Sequence, residues 1–73
     1  MNTFTVFGNA MVNGKTFYED HITFTAASFD DAVKMAKGRY MSRNSYDSII
    51  DDFIPISVMN GYYFQDDVEL RKI

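Results

Sequence analysis

The chain has no cysteine and no tryptophan, and only one proline and one histidine in 73 residues. Without thiols it holds no disulfide framework, no thiolate zinc site and no cysteine nucleophile, which suits a reducing cytoplasm. His21 is the one imidazole. It belongs to no nucleophile motif, so its expected role is that of a surface or cross-strand hydrogen-bonder. No apolar run approaches the ~20 residues of a membrane span. Met1-Asn2-Thr3-Phe4-Thr5 places no basic region ahead of a hydrophobic stretch, so neither secretion nor membrane insertion is expected. Positive charge is also scarce. Seven bases against ten acids give a net charge of -3, which argues against a protein that grips nucleic acid by neutralising phosphates. Direct nucleic-acid binding, a membrane partner and a cofactor are therefore not expected.

What remains is enough for one small domain spanning 1–73. A chain of this length buries only roughly 60% of its surface on folding. Its 47% hydrophobic and 16% aromatic residues, against 23% charged, still supply a core without covalent staples.

Phe4, Val6, Ala10 and Val12 fall on even positions, as do Tyr18, Ile22, Phe24 and Ala26. That period of two marks two half-buried strands, with Asn13-Gly14 as the turn between them. A two-residue turn in regular pairing would set even residues opposite odd ones and divide the apolar set between two faces. A three-residue loop, with Gly14 left-handed, keeps both sets on one face and is the expected connection.

Ser28 reads as a helix N-cap with Asp31 at the third helical position, so a helix is expected from Phe29. Phe29, Ala32, Val33, Ala36 and Tyr40 form one apolar stripe, and Asp30, Asp31 and Lys34 lie opposite. The helix should end near 42–44, past a weakening Gly38. Residues 44–53 are ambiguous. Tyr46, Ile49, Ile50 and Phe53 have helical spacing while the intervening Asp and Ser residues suit a loop, and a short helical turn is the expectation. Pro55 forbids helix through Ile54. Ile54, Ile56 and Val58 then alternate as a strand. Asn60-Gly61 turns the chain in a three-residue loop, Met59-Asn60-Gly61, and Tyr62, Phe64, Val68 and Leu70 continue on even parity, with a break at Asp66-Asp67. The expected fold is α+β, ββαββ, an antiparallel sheet with one helix packed on one face.

Little here carries chemistry. Four acidic pairs, Glu19-Asp20, Asp30-Asp31, Asp51-Asp52 and Asp66-Asp67, are the residue types of general acids and hard-metal ligands. Adjacent residues diverge on a strand or a helix, so solvated surface charge is the plainer reading. Asn13-Gly14-Lys15-Thr16 has the end of a phosphate loop but neither its first glycine nor a following helix. Lys34, Lys37, Arg39 and Arg43 form a small basic cluster on the helix, which the negative net charge marks as a solvated face. No catalytic or metal residue is assigned, and the protein is not expected to be an enzyme.

The odd positions are more informative. Phe7, Met11, Phe17, Met59 and Tyr63 fall on the sheet face turned away from the helix, and one helix covers only one face. Aromatic and methionine side chains left outside the core suit a binding surface or a dimer seam. The alternative is that 44–53 folds across that face and buries it.

Gly14-Lys15-Thr16-Phe17-Tyr18-Glu19, followed by Ile22-Thr23-Phe24-Thr25-Ala26-Ala27-Ser28-Phe29-Asp30-Asp31-Ala32-Val33-Lys34-Met35-Ala36, resembles small bacteriophage host-takeover proteins. In layout it is similar to short phage inhibitors of bacterial RNA polymerase, in which a strand runs through a Ser or Thr cap into an acidic, alanine-rich helix. With Ile56-Ser57-Val58-Met59-Asn60-Gly61-Tyr62-Tyr63-Phe64 added, it also resembles small anti-CRISPR proteins built as hairpin, helix and hairpin. The resemblance implies a phage-encoded stoichiometric inhibitor, at work in the host bacterial cytoplasm on a host protein or ribonucleoprotein complex that handles nucleic acid. In that reading Asp51, Asp52, Asp66, Asp67 and Glu69 would enter a basic channel while aromatics of the open face anchor the contact. The alternatives are inhibition of host RNA polymerase and a homo-oligomeric module whose open face is its own dimer seam.

Overall fold

The computed structural model describes residues 1–43, 49–62 and 70–73, with only the backbone path for 70–72. The chain forms β1 (Asn2–Val12), β2 (Lys15–Ala26), α1 (Phe29–Arg43), β3 (Asp52–Asn60) and the three-residue β4 (Leu70–Lys72). It is an α+β fold. The strands are antiparallel in the order β2-β1-β3-β4, so β1 is central and β4 lies outside β3. Among the described residues no helix is long and apolar enough to cross a membrane.

The first turn is not the three-residue loop. Val12 pairs with Lys15, leaving Asn13 (φ 51°) and Gly14 (φ 79°) as a two-residue turn with both residues left-handed. This is the type I′ pattern that matches strand twist and calls for Asn-Gly. The parity problem is solved one step inside the strand. Met11 pairs with Thr16 but Ala10 pairs with Tyr18, so Phe17 is an extra, bulged residue. Beyond it Val6 faces Ile22 and Phe4 faces Phe24, which puts both apolar sets on one face as the pattern requires.

A second bulge re-aims β3. Phe7 pairs with Ser57 and Gly8 with Pro55, so Ile56 is the extra residue, and Pro55 sits where an irregular ladder tolerates a missing N–H. Phe53 and Val58, which differ in parity, therefore both enter the core, whereas Ile54 and Ile56 are 41% and 45% exposed. The simple alternation of Ile54, Ile56 and Val58 does not hold. The second loop also differs from expectation. Gly61 has the anticipated positive φ (91°), but Met59 is no loop residue, since it pairs with Leu70. The expected strand through Phe64 and Val68, with its break at Asp66-Asp67, lies outside the described residues.

Helix α1 begins as the cap predicts. The Asp31 N–H donates to Ser28 Oγ at 3.2 Å and the Ala32 N–H to the Ser28 carbonyl at 3.0 Å. Its buried Ala32, Ala36 and Tyr40 close over Phe4, Val6, Ala10, Ile22, Phe53 and Val58. Small helix residues bring α1 close to the sheet, and one aromatic stack fixes it. Tyr40 lies on Phe53 with centroids 4.2 Å apart and planes at 13°. Phe53 in turn occupies space that only glycine leaves on β1. A Cβ at Gly8 would overlap the Ile54 carbonyl oxygen and approach Phe53 Cζ to 2.8 Å. Ile50 joins this same core. Of the expected helical turn over 44–53, residues 44–48 lie outside the described residues, and Asp52 and Phe53 belong to β3 instead. Ile50 and Phe53 pack on the helix side, so they do not cover the opposite face.

Candidate functional site

The sheet face away from α1 divides into a closed end and an open end. At the closed end Thr5 is fully buried. Its hydroxyl donates to the Gly61 carbonyl at 2.7 Å and lies 2.7 Å from Thr23 Oγ1. With the Thr5 proton committed to Gly61, Thr23 must be the donor in that second bond. Met59, opposite Thr5, is only 4% exposed. It is thus removed from the exposed set.

At the open end lies a depression of about 440 Å³ lined by Phe7 and Asn9 of β1, Glu19 and His21 of β2, and Ile56 and Ser57 of β3. The register explains the company. Phe7 pairs with His21 and with Ser57, and Asn9 pairs with Glu19 and with Ile54. The Phe7 and His21 rings sit 5.7 Å apart at 39°. Phe7 and Ile56 give an apolar wall, and an amide, a carboxylate, a hydroxyl and an imidazole stand around it. Such a mixture suits capture of a side chain from another protein, with the apolar part supplying area and the polar groups orientation. Phe17 is displaced into solvent by its bulge, 51% exposed, with its ring 5.0 Å from that of Tyr18. Met11 lies half-buried, and its sulfur accepts a long contact from the Thr16 hydroxyl at 3.7 Å.

The acids expected to meet a partner have internal work. Asp51 Oδ2 accepts the Asn13 N–H at 2.9 Å, bracing the first turn. Asp52 Oδ1 accepts its neighbour's N–H, from Phe53, at 2.8 Å and pairs with Lys37 Nζ at 2.9 Å. The Lys37 ammonium, then the Phe53 N–H, hold the Asp52 carboxyl below the usual carboxylate range. Tyr63, Asp66, Asp67 and Glu69 lie outside the described residues. The helix cations are partly engaged as well, since the Arg39 guanidinium lies 5.7 Å over the Phe24 ring. Sequence reasoning placed Phe7 and missed Asn9, Glu19 and Ile56 beside it. The first two share odd parity with Phe7 and were legible, but Ile56 required the bulge.

Comparison of the chain with protein-family models, with curated proteins and with solved structures finds no match.

Proposed function

We propose that this domain is a stoichiometric protein-binding inhibitor that occupies a surface of a larger assembly through the open end of its sheet face. The observation that carries the reading is the depression in which Phe7 and Ile56 stand beside Glu19 and His21, next to exposed Phe17 and Ile54. Exposed aromatic and aliphatic anchors ringed by polar groups are the usual make-up of a protein contact. The net charge of -3 favours a basic partner surface, and channels that hold DNA or RNA are basic.

Together with the hairpin, helix and hairpin layout, this supports a phage-encoded inhibitor of a host nucleic-acid-handling machine in the bacterial cytoplasm, of anti-CRISPR type, on a ββαββ frame. The mechanism assigned is occlusion without catalysis or cofactor. The test is affinity capture from a bacterial lysate on the immobilised domain, followed by titration of the captured machine's nucleic-acid binding with free domain. The reading expects binding of nucleic acid to be lost at one domain per site. Capture of nothing but the domain itself would assign the face to a dimer seam instead.

A further inference from the structure

In an antiparallel ladder each residue turns its N–H and C=O to one neighbouring strand, and the next residue turns them to the other side. The Gly61 N–H donates to the Thr3 carbonyl at 2.8 Å, so Thr3 faces β3 and Phe4 faces β2. Carried through the β1–β2 register, this makes Phe24, Ile22 and Asp20 the residues of β2 bonded to β1. His21, Thr23 and Thr25 are then aimed at the outer edge. Among the described residues no strand lies along that edge.

The edge is of a kind that pairs with itself. Residues 22–26, Ile-Thr-Phe-Thr-Ala, hold no charge and no proline and are β-branched or aromatic except for the last. A second copy laid antiparallel about Thr23 sets Ile22 against Phe24 of the partner copy and His21 against Thr25 of the partner copy. No like charges are opposed, and both helices stay on one face. That register needs the outward N–H of His21. In this structure the group is already taken, because Asp20 Oδ1 accepts it at 2.8 Å while Asp20 Oδ2 accepts the Tyr40 hydroxyl at 2.7 Å.

We propose that Asp20 is an edge guard, whose carboxylate occupies the His21 N–H and so keeps β2 from pairing with β2 of a second copy. Removing it lengthens the available edge from Thr23 and Thr25 to three successive outward residues.

Sedimentation velocity over a range of concentrations tests this with three variants, each first shown by melting to be folded. Asp20→Ala should self-associate at least tenfold more tightly than the wild type. Asp20→Ala/His21→Pro, which deletes the N–H aimed at the outer edge, should return to wild-type behaviour. Tyr40→Phe, which loses the helix tie but keeps the carboxylate on His21, should sediment as wild type. A folded Asp20→Ala that sediments like the wild type overturns the proposal. So does a double variant that associates as strongly as Asp20→Ala, or a Tyr40→Phe variant that associates like it. Should Asp20→Ala not fold, amide exchange in the wild type decides. The His21 amide should exchange at least tenfold more slowly than those of Thr23 and Thr25, and equal rates overturn the guard.

Discussion

The Tyr40 hydroxyl donates to Asp20 Oδ2 at 2.7 Å, and three residues earlier on the same helix Lys37 Nζ meets Asp52 Oδ1 at 2.9 Å. Helix α1 is thereby tied to β2 on one side of the central strand and to β3 on the other. Both aspartates also accept the N–H of the residue that follows them. Burial first, then the bonds to Asp20 and Tyr18, push the Tyr40 hydroxyl far above the ordinary tyrosine range. An alkaline ultraviolet titration should therefore show the Tyr40 hydroxyl resisting ionisation until the protein unfolds. Because the folded value is the higher one, this stabilisation is complete below the unfolded tyrosine pKa, about 10, and is lost as pH rises above it. Tyr40→Phe should abolish the resistant ionisation.

Asp52 gives the opposite dependence. Its folded pKa is lowered, so its contribution is complete above the unfolded aspartate value, about 3.9, and disappears as pH falls through the folded one. Its side chain is 35% exposed, so the ion pair is screened and should be worth only about 0.2–1 kcal/mol. Asp52→Asn should lower the urea midpoint slightly at pH 7 and flatten the acid limb of stability against pH. Raised salt should shrink the difference between the two proteins.

Two glycines should respond in opposite directions. Gly8→Ala drives a methyl into the Ile54 carbonyl and the Phe53 ring and should cost about 1–3 kcal/mol, read from denaturation. At Gly38, inside the helix, a Cβ meets nothing within 4 Å, so Gly38→Ala should stabilise by about 0.5–1 kcal/mol.

Ser28→Ala removes the acceptor for the Asp31 N–H and should cost about 1 kcal/mol. Thr5→Val keeps the shape but strands the Gly61 carbonyl, and it should cost about 1–3 kcal/mol by chemical denaturation.

The elements that sequence reveals here are those set by local rules. Ser28 three residues before Asp31, ahead of an i, i+3, i+4 stripe, marks a helix start almost to the residue, and it falls at Phe29. Even parity likewise identifies Phe4, Val6 and Ile22 as core. Bulges escape such rules, because a single extra residue costs the pattern nothing until the partner strand is known. Parity demands one extra residue near the first turn, and that residue is Phe17 within β2 rather than a third loop residue, because Asn13-Gly14 already satisfies a two-residue turn. On β3 the bulge at Ile56 exchanged expected core for surface. The double role of Asp20 was hidden for a different reason, since its partners are the next residue's backbone and a tyrosine twenty positions away.

Binding through the open sheet end is tested most directly by Phe17→Ala, measured for stability and for binding to the captured machine on the same preparation. Phe17 is 51% exposed on a bulge, so the melting curve should move by no more than about 0.5 kcal/mol. As an aromatic anchor its loss should weaken the complex by about 2 kcal/mol, roughly thirtyfold. Unchanged affinity together with unchanged stability would contradict the account.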